Sequence, residues 1–124
     1  MTETYSYRKL DVYISAKKLV KDIYAYLKKF PKEENFALCN QLRRAVISVP
    51  SNIAEGMGRF SPKEQIRFLE IAYGSLMEVQ CQLDISCDLG YITLEEFETI
   101  NKEINIIAKQ LSGLRSLRIR TLNP

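Results

Sequence analysis

Apolar residues return every three or four positions along almost the whole chain, a spacing that predicts helices and no strands. Leu10, Tyr13, Ile14, Val20, Ile23, Tyr24 and Leu27 mark a first helix, with Lys17, Lys18, Lys21, Asp22 and Lys28 between them. Phe30-Pro31 ends it, because a proline disfavours helical geometry in the residue before it, and Lys32-Glu33-Glu34-Asn35 supplies a polar turn. A second stripe runs through Leu38, Leu42, Ala45, Val46, Val49 and Ile53, interrupted by Pro50. Proline lacks an amide donor and crowds the carbonyl four residues back, so this helix either kinks near Val46 or ends at Val49. Ile53, Ala54 and Met57 continue the stripe until Gly56 and Gly58, which favours a kinked second helix.

The third helix has the clearest start: Ser61 as cap, Pro62 at the first helical position and Glu64 three residues after the serine. Ile66, Leu69, Tyr73, Leu76, Leu83 and Cys87 follow as a seam, with Gln80 its one polar member, and the helix stops before Gly90. Thr93 and Glu96 repeat the capping spacing ahead of Phe97, Ile100, Ile104, Ile107, Leu111 and Leu114, a heptad-like line. Helices of about 20 to 27 residues are roughly 30 to 40 Å long. Matched lengths and short connections predict an all-α fold, an up-down-up-down antiparallel four-helix bundle, as one domain with its core in about residues 7–117. Only Thr121-Leu122-Asn123-Pro124 reads as a frayed tail.

Two helices carry more apolar residues than one buried face needs. The first adds Val12, Leu19 and Tyr26 at seven-residue steps, and the third adds Phe68, Ile71, Ala72 and Val79. Either the core is thicker than the primary stripes suggest, or these residues meet other subunits.

Composition narrows the chemistry. At 124 residues, 46% hydrophobic and 27% charged, the chain suits one folded domain. No apolar run nears the roughly 20 residues a membrane-spanning helix needs, and the N-terminus shows no basic-then-apolar leader, so a cytoplasmic protein with no membrane partner is expected. There is no histidine, which removes the commonest general base, the Ser-His and Cys-His nucleophile pairs and most zinc chemistry. Cys39, Cys81 and Cys87 have no C-x-x-C spacing and fall inside helical patterns, so they read as buried or half-buried thiols. Neither a metal nor another cofactor is expected.

Charge is unevenly placed. Residues 1–67 hold 13 basic and 7 acidic side chains, residues 68–103 hold 1 and 8, and residues 104–124 hold 4 and none. On the predicted bundle one end collects Arg8, Lys9, Arg59, Lys63, Arg67, Arg115, Arg118 and Arg120, diluted by Asp11, Glu55 and Glu64. The opposite end carries Asp84, Asp88, Glu95, Glu96 and Glu98 beside Lys28, Lys29 and Lys32. A basic end suits the phosphates of RNA or DNA, whose contacts add salt-dependent affinity without base specificity. Two plainer readings stand beside it: cations that complement helix C-termini on a solvated surface, and charge matching between subunits.

Two blocks carry a family resemblance. Gln41-Leu42-Arg43-Arg44-Ala45 with Ser48-Val49-Pro50-Ser51-Asn52-Ile53-Ala54-Glu55-Gly56, and Arg67-Phe68-Leu69-Glu70-Ile71-Ala72 with Gly74-Ser75-Leu76 and Glu78, resemble the bacterial four-helix bundle proteins. These are also called the large-subunit ribosomal RNA intervening-sequence proteins. Phe30-Pro31 and Leu89-Gly90-Tyr91 resemble the family's hairpin ends, and the similarity spans roughly residues 7–117. The resemblance implies a homopentameric ring with no established enzymatic activity. Its kinship with the accessory protein of diversity-generating retroelements implies a reverse transcriptase and nucleic acid as partners.

Asn52, Glu55, Glu70, Ser75 and Glu78 lie inside those blocks. Paired carboxylates can serve as acid and base or hold magnesium. With no histidine and no phosphate-cradling loop beside them, the stronger reading is structural: Arg43 or Arg44 and neighbouring amides satisfy them at helix or subunit contacts, and no residue is catalytic. Gly56-Met57-Gly58-Arg59 lacks the G-x-x-x-x-G-K-[ST] pattern and reads as a helix-ending turn.

Overall fold

Four helices follow one another in the computed structural model, which describes residues 6–122: α1 (Asp11–Leu27), α2 (Leu38–Met57), α3 (Pro62–Asp88) and α4 (Leu94–Leu122). Short 3-10 turns at Ser6–Lys9 and Lys32–Glu34 precede α1 and α2. Each helix packs on its two neighbours in a closed circuit, α1 on α2, α2 on α3, α3 on α4 and α4 on α1, and among the described residues the backbones of the diagonal pairs stay apart. This is the expected antiparallel four-helix bundle.

α2 runs unbroken through Pro50, as the continuing stripe predicts, rather than ending at Val49. It stops at Gly58, whose N–H reaches the Ala54 and Glu55 carbonyls at 3.1 Å. Gly56 is required by packing: a Cβ there would lie 2.9 Å from the Phe68 Cβ, so its absence lets α2 approach the start of α3. At the other end of α3, Gly90 takes a left-handed φ of 79°, and the Gly90 and Tyr91 N–H groups turn back to the Cys87 and Ser86 carbonyls. That double bond is a Schellman cap, which costs a glycine little because it has no Cβ.

The helices are less evenly matched than expected. α1 and α2 have 17 and 20 residues, α3 and α4 have 27 and 29. The connection between α1 and α2 makes up part of the shortfall, with buried Phe30 against the Tyr91 ring at 5.3 Å. Thr121 and Leu122 are the last turn of α4 and no frayed tail; Asn123 and Pro124 lie outside the described residues.

The core register also departs from the primary stripes. α1 buries Val12, Ala16, Leu19, Ile23 and Leu27, whereas Ile14 and Tyr24 are exposed. α3 buries Leu69, Ala72, Leu76, Val79, Leu83 and Ser86. Small residues explain the shift: Ala16, Ala72 and Ser86 complete an inward line that a search for bulky side chains skips. Ser86 pays no desolvation penalty, because its Oγ donates to the Gln82 carbonyl at 2.7 Å. Val12, Leu19, Ala72 and Val79 therefore belong to a thicker core, and of the supernumerary residues only Ile71 is exposed.

Cys39 is buried, which raises its thiol pKa, and Cys87 is half-buried, but Cys81 is exposed. The sequence expectation fails at Cys81, on the outer side of α3. Among the described residues no helix is long and apolar enough to cross a membrane.

Candidate nucleic-acid interface

The turn between α2 and α3 organises the basic end. Ser61 caps α3, accepting from the Glu64 N–H at 3.4 Å, and Pro62 opens the helix. Gln65 reaches back, its Nε2 donating to the Arg59 carbonyl at 2.7 Å, which ties the turn to the first coil of α3. The close approach at Gly56 sets Phe68 beneath this turn. The Arg59 and Arg67 guanidiniums lie over the Phe68 ring at 4.9 and 5.3 Å, and cation–π attraction orders both cations.

Carboxylates answer some of these charges. Arg59 pairs with Glu55 at 3.0 Å, Arg67 with Glu64 at 3.7 Å and Arg115 with Glu70 at 2.7 Å. All six side chains are largely exposed, and such pairs contribute roughly 1 kcal/mol or less and exchange readily for another anion. Arg8, Lys9, Lys63 and Arg120 are exposed and have no carboxylate partner among the described residues. Arg118 is half-buried; its guanidinium touches the Met57 sulfur at 3.7 Å, and its buried Nε has no acceptor. Contacts tie Arg59 and Arg67 to Phe68, Arg115 to Glu70 and Arg118 to Met57, while Arg8, Lys9, Lys63 and Arg120 lie at element ends that the topology brings to the same side. The dilution differs in detail, with Glu70 among the counter-charges. α2 and α4 end on this side, so Arg59, Arg115, Arg118 and Arg120 also complement the negative ends of those helices.

The polar residues in the two sequence blocks do not form one cluster. Asn52 Nδ2 donates to the Ser48 carbonyl and hydroxyl at 2.8 and 2.9 Å, and the Ser48 and Ser75 hydroxyls meet at 2.8 Å, a bridge between α2 and α3. Arg43 turns away to the Asn35 carbonyl and side-chain oxygen, at 2.8 and 3.2 Å. Within one subunit neither Arg43 nor Arg44 forms an ion pair with Glu55, Glu70 or Glu78 among the described residues. Other neighbours stand beside them: Arg59 holds Glu55 and Gln82 lies 3.5 Å from Glu78, both one helical turn away, and Arg115 of α4 holds Glu70 from the neighbouring helix. Arg44 instead lines an open groove of about 370 Å³ with Asn40, Gln41, Ser48, Ser75 and Glu78. No three potential metal-ligating side chains converge among the described residues.

One charged group escaped sequence reasoning. Lys18 on α1 bonds Asp22 at 2.7 Å and also reaches Glu103 on α4 at 3.3 Å. Burial, then the neighbouring Asp22 carboxyl, pushes Glu103 up to about 7. Burial also disfavours the Asp22 carboxylate, but hydrogen bonds from Glu103 and Lys18 outweigh it and hold Asp22 below its ordinary value. The Lys18–Asp22 spacing was visible as an i, i+4 pair; its meeting with Glu103 depends on how α4 packs.

The family model for the 23S rRNA-intervening sequence proteins matches residues 8–113. The chain belongs to that family. This intervening-sequence protein is also similar to the crystal structure of a protein of unknown function from the S23 ribosomal protein family of Bacteroides thetaiotaomicron VPI-5482. The two are 26% identical with a TM-score of 0.75, over 84% of this chain and 97% of that one. The comparison with curated proteins gave no match. The family's description names no enzymatic activity, and the solved relative is described as a protein of unknown function.

Proposed function

We propose that this intervening-sequence protein is a non-enzymatic, homo-oligomeric scaffold that holds RNA or DNA through its basic end. One observation carries the reading: Arg8, Lys9, Lys63, Arg118 and Arg120 share one end of the bundle without a carboxylate partner among the described residues. Cations kept for a structural role are usually paired or spread, whereas a phosphate backbone rewards a concentrated, unpaired set by releasing its counterions. A ring of subunits would repeat this end several times and convert weak contacts into avidity. The pentamer implied by the family resemblance is the assembly we adopt, and a reverse transcriptase is the polymerase partner it would serve.

The test is binding to a structured RNA across a salt series. Six phosphate contacts would weaken affinity roughly a thousandfold between about 50 and 200 mM salt. Changing Arg59, Lys63 and Arg67 together to Glu should remove binding while leaving the helical melt in place. No binding at any salt overturns the proposal.

A second reading, a protein-interaction pentamer without nucleic acid, is favoured by apolar residues on the bundle's flanks. Ile14, Ile47, Ile85 and Ile106 are each more than two-fifths exposed, on four different helices. Under this reading the ring forms and recruits a protein partner in the presence of nuclease, and the charge reversal changes nothing.

A further inference from the structure

Phe60 is fully exposed, at 102% of its reference surface, in the turn that carries the basic end. A large aromatic ring with no protein contact costs solubility, and a turn residue has no packing reason to be phenylalanine. Its surroundings give it a use. Arg59 precedes it, Lys63 follows three residues on, and the Arg59 and Arg67 guanidiniums are ordered over the Phe68 ring just behind. The backbone beneath is fixed by the Gln65 bond to the Arg59 carbonyl and by Pro62, so the ring projects from a rigid base and not from a floppy loop.

We infer that Phe60 is a stacking platform for an unpaired nucleobase, with Arg59, Lys63 and Arg67 holding the flanking phosphates of a single-stranded nucleic acid. The inference rests on the nucleic-acid reading above and deepens it by naming the strand form. Exposed aromatic rings beside backbone-tracking cations are how proteins grip single strands, because every base has a π-face and a duplex keeps its faces stacked inside. A ring and three cations give no contact that distinguishes the sugars, so RNA and DNA single strands should bind alike.

Phe36 is the other bare ring, 90% exposed at the opposite end. It lines a groove with Lys28, Lys32 and Arg43, while Glu33 and Glu34 precede it in the chain. Among the described residues no second aromatic ring orders those cations as Phe68 orders Arg59 and Arg67, so Phe36 serves as the comparison position.

The chain contains no tryptophan, so Phe60→Trp creates a lone fluorescent reporter in an otherwise native protein. Probes are single-stranded oligomers of deoxythymidine and of uridine, about 20 nucleotides long to exceed a typical site, and a duplex of the same length. We expect Trp emission to be quenched by both single strands and not by the duplex. Phe60→Ala and Phe60→Leu should each lose about tenfold in single-strand affinity, the scale of one base stack. Both should keep duplex affinity and the native melt, and Phe36→Ala should bind as the native protein does.

Single-strand affinity unchanged in Phe60→Ala, equal loss on the duplex, or quenching by one sugar type alone would overturn the inference. So would a change of sedimentation in Phe60→Ala, which would assign the ring to a second copy of the chain. If the native protein binds neither strand form, the broader reading fails as well; if it binds both and Phe60 is irrelevant, only the stacking fails.

Discussion

At the end where α3 turns into α4, polar groups close on one another. Thr93 and Glu96 exchange backbone-to-side-chain bonds at 2.9 and 3.0 Å, Lys29 pairs with Glu96, and the Tyr91 hydroxyl donates to Glu34 at 2.8 Å over the buried Phe30. These bonds raise the Tyr91 phenol and hold Glu96 below the usual carboxylate range. Where α2 turns into α3, five cations lack carboxylates, the Arg118 Nε has no acceptor and Phe60 stands in water. Both ends cap long helices with the same S/T-x-x-E spacing. Among the described residues, the first spends Lys29 and its capping groups on the fold and leaves Lys28 and Lys32 unpaired, while the second leaves five cations unpaired, and that excess marks the candidate interface.

The largest test of this contrast exchanges the two phenylalanines. Phe30→Ala should destabilise the bundle by about 3 kcal/mol through its cavity, measured by denaturant unfolding, while Phe60→Ala should stay within about 0.5 kcal/mol. Similar losses at both would mean that Phe60 packs somewhere and the second end is structural.

Next comes Gly56→Ala, expected to destabilise by about 2 kcal/mol, since the new methyl meets the Phe68 Cβ at 2.9 Å and the helices must part. It should also lower nucleic-acid affinity, because Phe68 positions both Arg59 and Arg67. A neutral result would detach the packing from the charges above it.

Two smaller effects sharpen the comparison. Glu103 titrates near 7 in the fold against an ordinary 4.5, so the folded chain holds a proton that the unfolded chain releases. Stability should therefore fall as pH rises from about 4.5 to 7, by on the order of 1 kcal/mol once solvent screening of this partly exposed pair is allowed for, while the lowered Asp22 acts in a more acidic window, where stability is lost as pH falls. Glu103→Gln should flatten that slope and affect neither end, which thermal melts at several pH values will report. Thr93→Ala should cost about 1 kcal/mol. Ser61→Ala should cost only a few tenths, its cap bond being long at 3.4 Å against 3.0 Å for Thr93.

Helix starts were legible in the sequence because capping is local: Ser61-Pro62-x-Glu64 and Thr93-x-x-Glu96 announce themselves within four residues. Passage through Pro50 was legible too, from the stripe beyond it. The inward register of α1 and α3 was not, because Ala16, Ala72 and Ser86 carry little hydrophobic signal yet complete the buried line. Topology placed the cations at one end. Glu55 with Arg59 and Glu64 with Arg67 stand at legible i, i+4 and i, i+3 spacings, whereas the Glu70 pair with Arg115 and the Lys18 contact with Glu103 were hidden, since these depend on tertiary packing. Nothing in the sequence said that Phe60 would be bare; a phenylalanine near Phe68 reads equally well as core.

The most direct test is the slope of log affinity against log salt for single-stranded nucleic acid, compared between two double variants. Lys63 with Arg120 changed to Ala removes two unpaired cations at the α2–α3 end; Lys28 with Lys32 changed to Ala removes two at the other. Each lost phosphate contact lowers the slope by about 0.9 on a duplex and about 0.7 on a single strand. The first variant should therefore lose about 1.4 from its slope and the second nothing. Equal slopes in both variants, or a loss confined to the second, would contradict the assignment of the basic end.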